Sequence, residues 1–181
     1  MLTNKKTKLA VVLGAAAIAA GVSSGAMAGT ATSNIAVSAS ITQTCAITAN
    51  PIAFGAYDPV TANATVAATS TATLDVRCTK GSAGVTVQLG IGANASGNQK
   101  RMTNGTDFLS YNIFQPTTGV SGNTACSATE WGAPTAALAV SPAVAWSAVT
   151  VNSFTMCGSV PPAQNVGAGS YNDTVVATIT F

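Results

Sequence analysis

Ile35-Ala36-Val37-Ser38-Ala39-Ser40-Ile41 near the start of the chain and Tyr171-Asn172-Asp173-Thr174-Val175-Val176-Ala177-Thr178-Ile179-Thr180-Phe181 at its end are the two stretches that decide the fold. In the first, Ile35, Val37, Ala39 and Ile41 occupy every second position. A period of two lays one apolar row along one face of a strand, whereas a helix needs spacings of three and four. In the second, Tyr171, Val175, Ala177, Ile179 and Phe181 share one face in the same way. With a loose strand at the start and no strand after the last one, the chain is expected to lend its first strand to a neighbour's sheet. That is the plan of a fibre subunit.

Ahead of the first strand stands an export leader. Lys5, Lys6 and Lys8 precede an apolar run over residues 9–20, and Ala26-Met27-Ala28 supplies the small residues that a signal peptidase reads. The cut is expected between Ala28 and Gly29. Gly14, Gly21, Ser23, Ser24 and Gly25 dilute the run and no basic cluster follows it, which favours a cleaved leader over a membrane anchor. No cysteine stands at the cut, which argues against a lipoprotein. The expected organisation is therefore a signal peptide over residues 1–28, a strand segment over 29–41, and one β-domain over 42–181, with no membrane span in the mature protein.

Composition narrows the function further. The precursor's net charge of +2 includes the three lysines of the leader. What remains is Arg77, Lys80, Lys100 and Arg101 against Asp58, Asp75, Asp107, Glu130 and Asp173, one negative charge in excess. A basic surface for nucleic acid or anionic lipid has no residues to be built from. Charged residues make up 7% of the chain, far below the ~25% of ordinary soluble domains. Thr, Ser, Asn, Gly and Ala must cover the surface, and weak charge repulsion suits a protein that associates with its own copies.

All four cysteines, Cys45, Cys78, Cys126 and Cys157, follow the leader, and an even number in an oxidising compartment reads as two disulfides. Three pairings are possible. Cys45–Cys78 with Cys126–Cys157 is favoured because sequential closure needs no crossing, and each such loop stabilises by roughly 3–4 kcal/mol in the chain-entropy model. A metal site is disfavoured, since the chain has no CxxC spacing and no histidine.

Between the ends, short alternating runs are separated by turn residues. Leu74, Val76 and Cys78 lead to a turn at Thr79-Lys80-Gly81, and Val85, Val87, Leu89 and Ile91 lead to Gly92 and a polar loop. Asn104-Gly105 marks a hairpin between Met102 and the row Leu109, Tyr111, Ile113. Residues 115–135 read as one long loop pinned at Cys126. Val149 and Val151 resume the strands through Phe154-Thr155-Met156-Cys157, and Pro161-Pro162 ends them. Six or seven short strands with no amphipathic helix predict an all-β fold, an antiparallel sandwich of immunoglobulin-like kind.

The chemistry of an enzyme is missing. Without histidine there is no histidine base, and the five carboxylates are scattered. No phosphate loop stands at a strand–helix junction. No cofactor is expected. Trp131 and Trp146 are expected in or beneath the core more than on a ligand face, and Arg101 at the surface. The Asn-x-Ser/Thr triplets at Asn63, Asn94, Asn104 and Asn172 are of a kind frequent by chance in so Thr-rich a chain.

The run Ile35–Ile41 ahead of Cys45, then Phe54-Gly55, Val76-Arg77-Cys78, Arg101-Met102, Leu109-Ser110-Tyr111-Asn112 and Trp131-Gly132, resembles the spore coat protein U domain family. The ending matches most specifically: Gly158-Ser159-Val160-Pro161, Gln164, and Gly169-Ser170-Tyr171-Asn172-Asp173-Thr174-Val175 through Phe181. That family includes pilins of archaic, Csu-type chaperone–usher pili. The resemblance implies an incomplete sandwich completed by donor-strand exchange, held first by a periplasmic chaperone and then passed to an outer-membrane usher. Carried onto this chain, the donor is residues 30–41 with Ile35, Val37, Ala39 and Ile41 inserted. The receiving groove includes Tyr171, Val175, Ala177, Ile179 and Phe181, and one disulfide is Cys45–Cys78. Cys126 and Cys157 stand outside the family pattern.

The function so implied is a structural subunit of a surface fimbria, a shaft or minor subunit rather than a tip adhesin, serving adhesion and biofilm formation. Its partners would be like subunits, the chaperone and the usher. Two other readings share the sandwich: a spore or cyst coat component, and a secreted monomeric binding module that takes a carbohydrate or surface ligand through loop 115–135 and Trp131.

Overall fold

The computed structural model describes residues 28–132 and 134–181; residues 1–27 of the expected signal peptide lie outside them. Among the described residues there is no helix, and the strands are β1 (Cys45–Ala49), β2 (Ala68–Cys78), β3 (Thr86–Leu89), β4 (Lys100–Thr103), β5 (Phe108–Pro116), β6 (Cys126–Glu130), β7 (Leu138–Ala139), β8 (Asn152–Val160) and β9 (Ala177–Thr180). The chain divides into two units, one ending at Ala39 and one running from Ser40 to Phe181. The described part of the first has no regular secondary structure and is exposed throughout.

In the second unit the strands form two antiparallel sheets. The larger has the order β1-β2-β8-β5-β4, with β6 also paired to β5; the smaller has the order β7-β3-β9. The core lies where the alternating rows meet: Leu74, Val76 and Cys78 of β2, Val87 and Leu89 of β3, Leu109, Tyr111 and Ile113 of β5, and Phe154 and Met156 of β8. Successive side chains of a strand face opposite ways, so each row buries one face and leaves the other to polar residues. Strand β8 departs from this rule, for Phe154, Thr155, Met156 and Cys157 are all buried. Its outer face is roofed by the loop before β6, where Gly122 N donates to Ser153 O at 2.9 Å and Thr155 Oγ1 donates to Asn123 O at 2.9 Å.

Both disulfides are intrachain. Cys45 and Cys78 are direct partners across β1 and β2 with Cα atoms 4.1 Å apart, and Cys126 of β6 joins Cys157 of β8 with Cα atoms 6.0 Å apart. The Asn104-Gly105 hairpin is present. Gly105 takes φ +97°, and Asn104 Oδ1 accepts from the amides of Thr106 and Asp107.

Two local readings of the sequence need correction. Residues 115–135 are not one loop, because β6 pairs with β5 there; Ser127, Ala128 and Thr129 carry no apolar alternation to announce it. Strand β1 lacked a signal for a similar reason, with Ile47 its one large apolar residue. Val149 and Val151 precede β8 and are 87% and 49% exposed, so they belong to the loop. The Ile35–Ile41 segment, strand-like by alternation, forms no strand in the single chain.

Candidate functional site

Strand β9 is the last strand of the smaller sheet. It pairs with β3 along one edge, Thr86 opposite Thr180 through Leu89 opposite Ala177, and among the described residues no strand pairs with its other edge. Ahead of β9 the chain is extended but bonded only at intervals: Asn172 and Thr103 exchange both backbone hydrogen bonds at 3.0 Å, Ala93 N donates to Thr174 O at 3.0 Å, and Gly90 N donates to Val176 O at 2.8 Å. The regular strand is thus shorter than the alternation over 171–181 implied, although the alternation itself holds. Residues 171, 173, 175, 177 and 179 are half-buried, and those between them are exposed.

Half-burial in that inward row has a physical cause. The row packs on a core in which its neighbours Val87 and Leu89 are buried, yet among the described residues no strand pairs along its free edge. A groove runs there. One part, about 430 Å³, is bounded by Tyr171, Val175 and Ala177 on one wall, by Ile52 and Phe54 on the other, and by Met156 between them. A second part, about 780 Å³, continues past Tyr171 along residues 166–170, opposite residues 53–59. The wall formed by residues 50–59 carries no regular strand and makes no backbone hydrogen bond to 171–181.

That wall is held by three devices. Ile52 and Phe54 lie against Gly158 so closely that a Cβ there would come within 2.8 Å of both side chains. Tyr57 Oη donates to Pro161 O at 2.8 Å and accepts from Gln164 N at 3.1 Å. Gln164 then imitates a paired strand, its amide bonding both Ser110 N at 2.7 Å and Ser110 O at 2.9 Å. In this way Gly158, Tyr57 and Gln164 place residues 50–59 opposite the last strand.

The groove has one charged side chain in its inward row. Asp173 Oδ1 accepts from the amide and side chain of Asn94 at 3.1 and 3.0 Å, and Asp173 Oδ2 accepts from Tyr111 Oη at 2.7 Å. Burial first, then the hydrogen bond to Asp173, then its charge push the Tyr111 hydroxyl well above its ordinary range and keep it a donor. A Cβ on Gly92 would collide with Asp173 Oδ2, so this glycine is required both for its φ of +94° and for that approach. The Tyr111–Asp173 pair ties the larger sheet to the last strand.

The residues proposed from sequence fall as follows. Tyr171, Val175 and Ala177 line the groove, Ile179 packs beside them on the core, and Phe181 is 49% exposed beyond its end. Ile35, Val37 and Ile41 are 86%, 90% and 85% exposed, and Ala39 is exposed with them. Trp131 is 0% exposed, its indole donating to Val87 O at 3.1 Å, which leaves no face on which to stack a sugar. Arg101 lies 4.1 Å above the Phe108 ring and donates to Asn94 O. Residues 50–59, Tyr111, Asn94 and Gly92 were not legible as groove components, because a groove wall without alternation leaves no periodic signal.

Comparison with known proteins agrees with this architecture. The Spore Coat Protein U domain family matches residues 31–178. Protein U of Myxococcus xanthus is 36% identical over 191 aligned positions, covering 97% of this chain and 98% of that protein. Among solved structures, one chain of the CsuC–CsuE chaperone–tip adhesion subunit pre-assembly complex from the archaic chaperone-usher Csu pili of Acinetobacter baumannii superposes with a TM-score of 0.50 at 22% identity. The match covers 78% of this chain and 40% of that one, so the chain spans less than half the length of that neighbour.

Proposed function

The chain belongs to the spore coat protein U domain family, and from that premise we propose that it is a structural subunit that polymerises by donating residues 30–41 to the open groove of the next copy. The observation that carries the reading is the unpaired edge of β9 beside an apolar groove, in a chain whose most regular apolar alternation outside the sheets, Ile35 to Ile41, is exposed to solvent. A strand laid along β9 would satisfy its free backbone groups and cover its half-buried row. Burying two Ile, one Val and one Ala gives on the order of 5–7 kcal/mol before any backbone pairing. One solved neighbour is a chain of a chaperone–pilus subunit complex, which supports a pilus as the assembly.

On this reading the subunit crosses the periplasm on a chaperone, is handed to an outer-membrane usher, and forms a surface fimbria that serves adhesion and biofilm formation. The spore coat association of the family supports a coat as the alternative destination, built by the same strand exchange. The monomeric binding module loses its anchor with Trp131 buried. The test is Ile35→Asp or Val37→Asp: either variant is expected to fold and bind the chaperone yet form no fibres by electron microscopy. Fibres of normal length from either would remove the donor assignment.

A further inference from the structure

Resting on the donor-strand reading, we infer that the polar pair in the groove fixes the register of assembly: Ala39 of one copy seats over Asp173 of the next, in an antiparallel strand that places Ile41 opposite Tyr171, Val37 opposite Val175 and Ile35 opposite Ala177. The inward row of the last strand reads Tyr171, Asp173, Val175, Ala177, Ile179, four apolar positions and one carboxylate. Asp173 is held by Asn94 and Tyr111 and cannot swing away. Its three hydrogen bonds leave part of a carboxylate's accepting capacity to water in the groove. A branched aliphatic side chain over it would remove that water and offer no donor in return.

The donor row has three branched residues and one small one: Ile35, Val37, Ala39, Ile41. The small residue and the carboxylate therefore belong opposite each other, since a shift of two residues in either direction sets Val37 or Ile41 on the charge. Direction follows from length. With Ala39 fixed over Asp173, an antiparallel strand lays all four side chains over 171–177, whose inward residues line the groove. A parallel strand would carry Ile35 past Tyr171 to Gly169 and leave Ala177 uncovered.

Opposed residues in a strand pair have Cα atoms ~4.5–5.5 Å apart, which a disulfide spans. Two populations of the mature chain are assembled together and oxidised, one carrying Val37→Cys and the other a single new cysteine in the last strand. Val37→Cys with Val175→Cys is expected to give the covalent dimer. Cross-linking instead with Tyr171→Cys, the parallel partner, or with Ala177→Cys, the partner after a slip of two, would overturn the register. As a measurement independent of new cysteines, Ala39→Ile is expected to slow assembly about tenfold or more. Wild-type assembly by Ala39→Ile would overturn the proposal. If Val37→Asp blocks fibres and Ala39→Ile does not slow them, the register alone fails; if Val37→Asp polymerises, the donor reading fails with it.

Discussion

Gly158 stands in the middle of β8 with no room for a methyl group, since a Cβ would lie 2.8 Å from both Ile52 and the Phe54 ring. Gly158→Ala is expected to push the 50–59 wall outward and to destabilise the domain by about 1–3 kcal/mol, measured by denaturant unfolding. Tyr111 makes a second prediction. Its hydroxyl titrates higher in the folded chain than in the unfolded one, so its contribution is fully present below pH ~10 and is lost as pH rises above that, when the unfolded state gives up its proton first. The melting temperature should fall with pH in that range, and Tyr111→Phe should remove part of the slope. A slope unchanged by Tyr111→Phe would show that the Tyr111 hydroxyl does not titrate higher in the folded chain than in the unfolded one. Tyr111 was visible in the sequence as one member of an apolar row; its bond to Asp173, 62 positions away, was not, because alternation reports which face a residue occupies and not which partner it meets.

Among the elements, β2, β5, β8 and the last strand were legible from their alternating apolar residues, because one face of each packs on the core. Strands β1, β6 and β7 were not. They are short, lie at sheet margins and are built mostly from small or polar residues, so pairing, more than burial, defines them. The two disulfides fall on these weak elements, Cys45 on β1 and Cys126 on β6. Removing Cys126 and Cys157 together as alanines is therefore expected to cost about 3 kcal/mol and to expose β6 first. Hydrogen exchange would show faster exchange at β6 with β2 still protected. Equal loss across the sheet would mean that β6 is part of the cooperative core.

At the scale of the whole molecule, the two ends of the chain form a complementary pair in composition: an exposed segment with one apolar row, and a half-buried row beside an open groove. Residues 29–57 contain no charge, which suits a segment that must enter such a groove. The sandwich class and the last strand's inward face could be read from alternation. The groove itself could not, because it exists only where residues 50–59 stand off from the last strand, and that distance is set by Gly158, Tyr57 and Gln164 acting across the fold.

The most direct test compares two oxidised chains by thermal melting and by size, residues 42–181 alone and residues 42–181 with residues 30–41 joined behind Phe181 by a flexible linker. The account predicts a cooperative monomer of much higher melting temperature in the joined form, by a margin on the order of the 5–7 kcal/mol that donor burial supplies. Equal melting of both as monomers would mean that the sandwich is complete without a donor, and the account would be wrong.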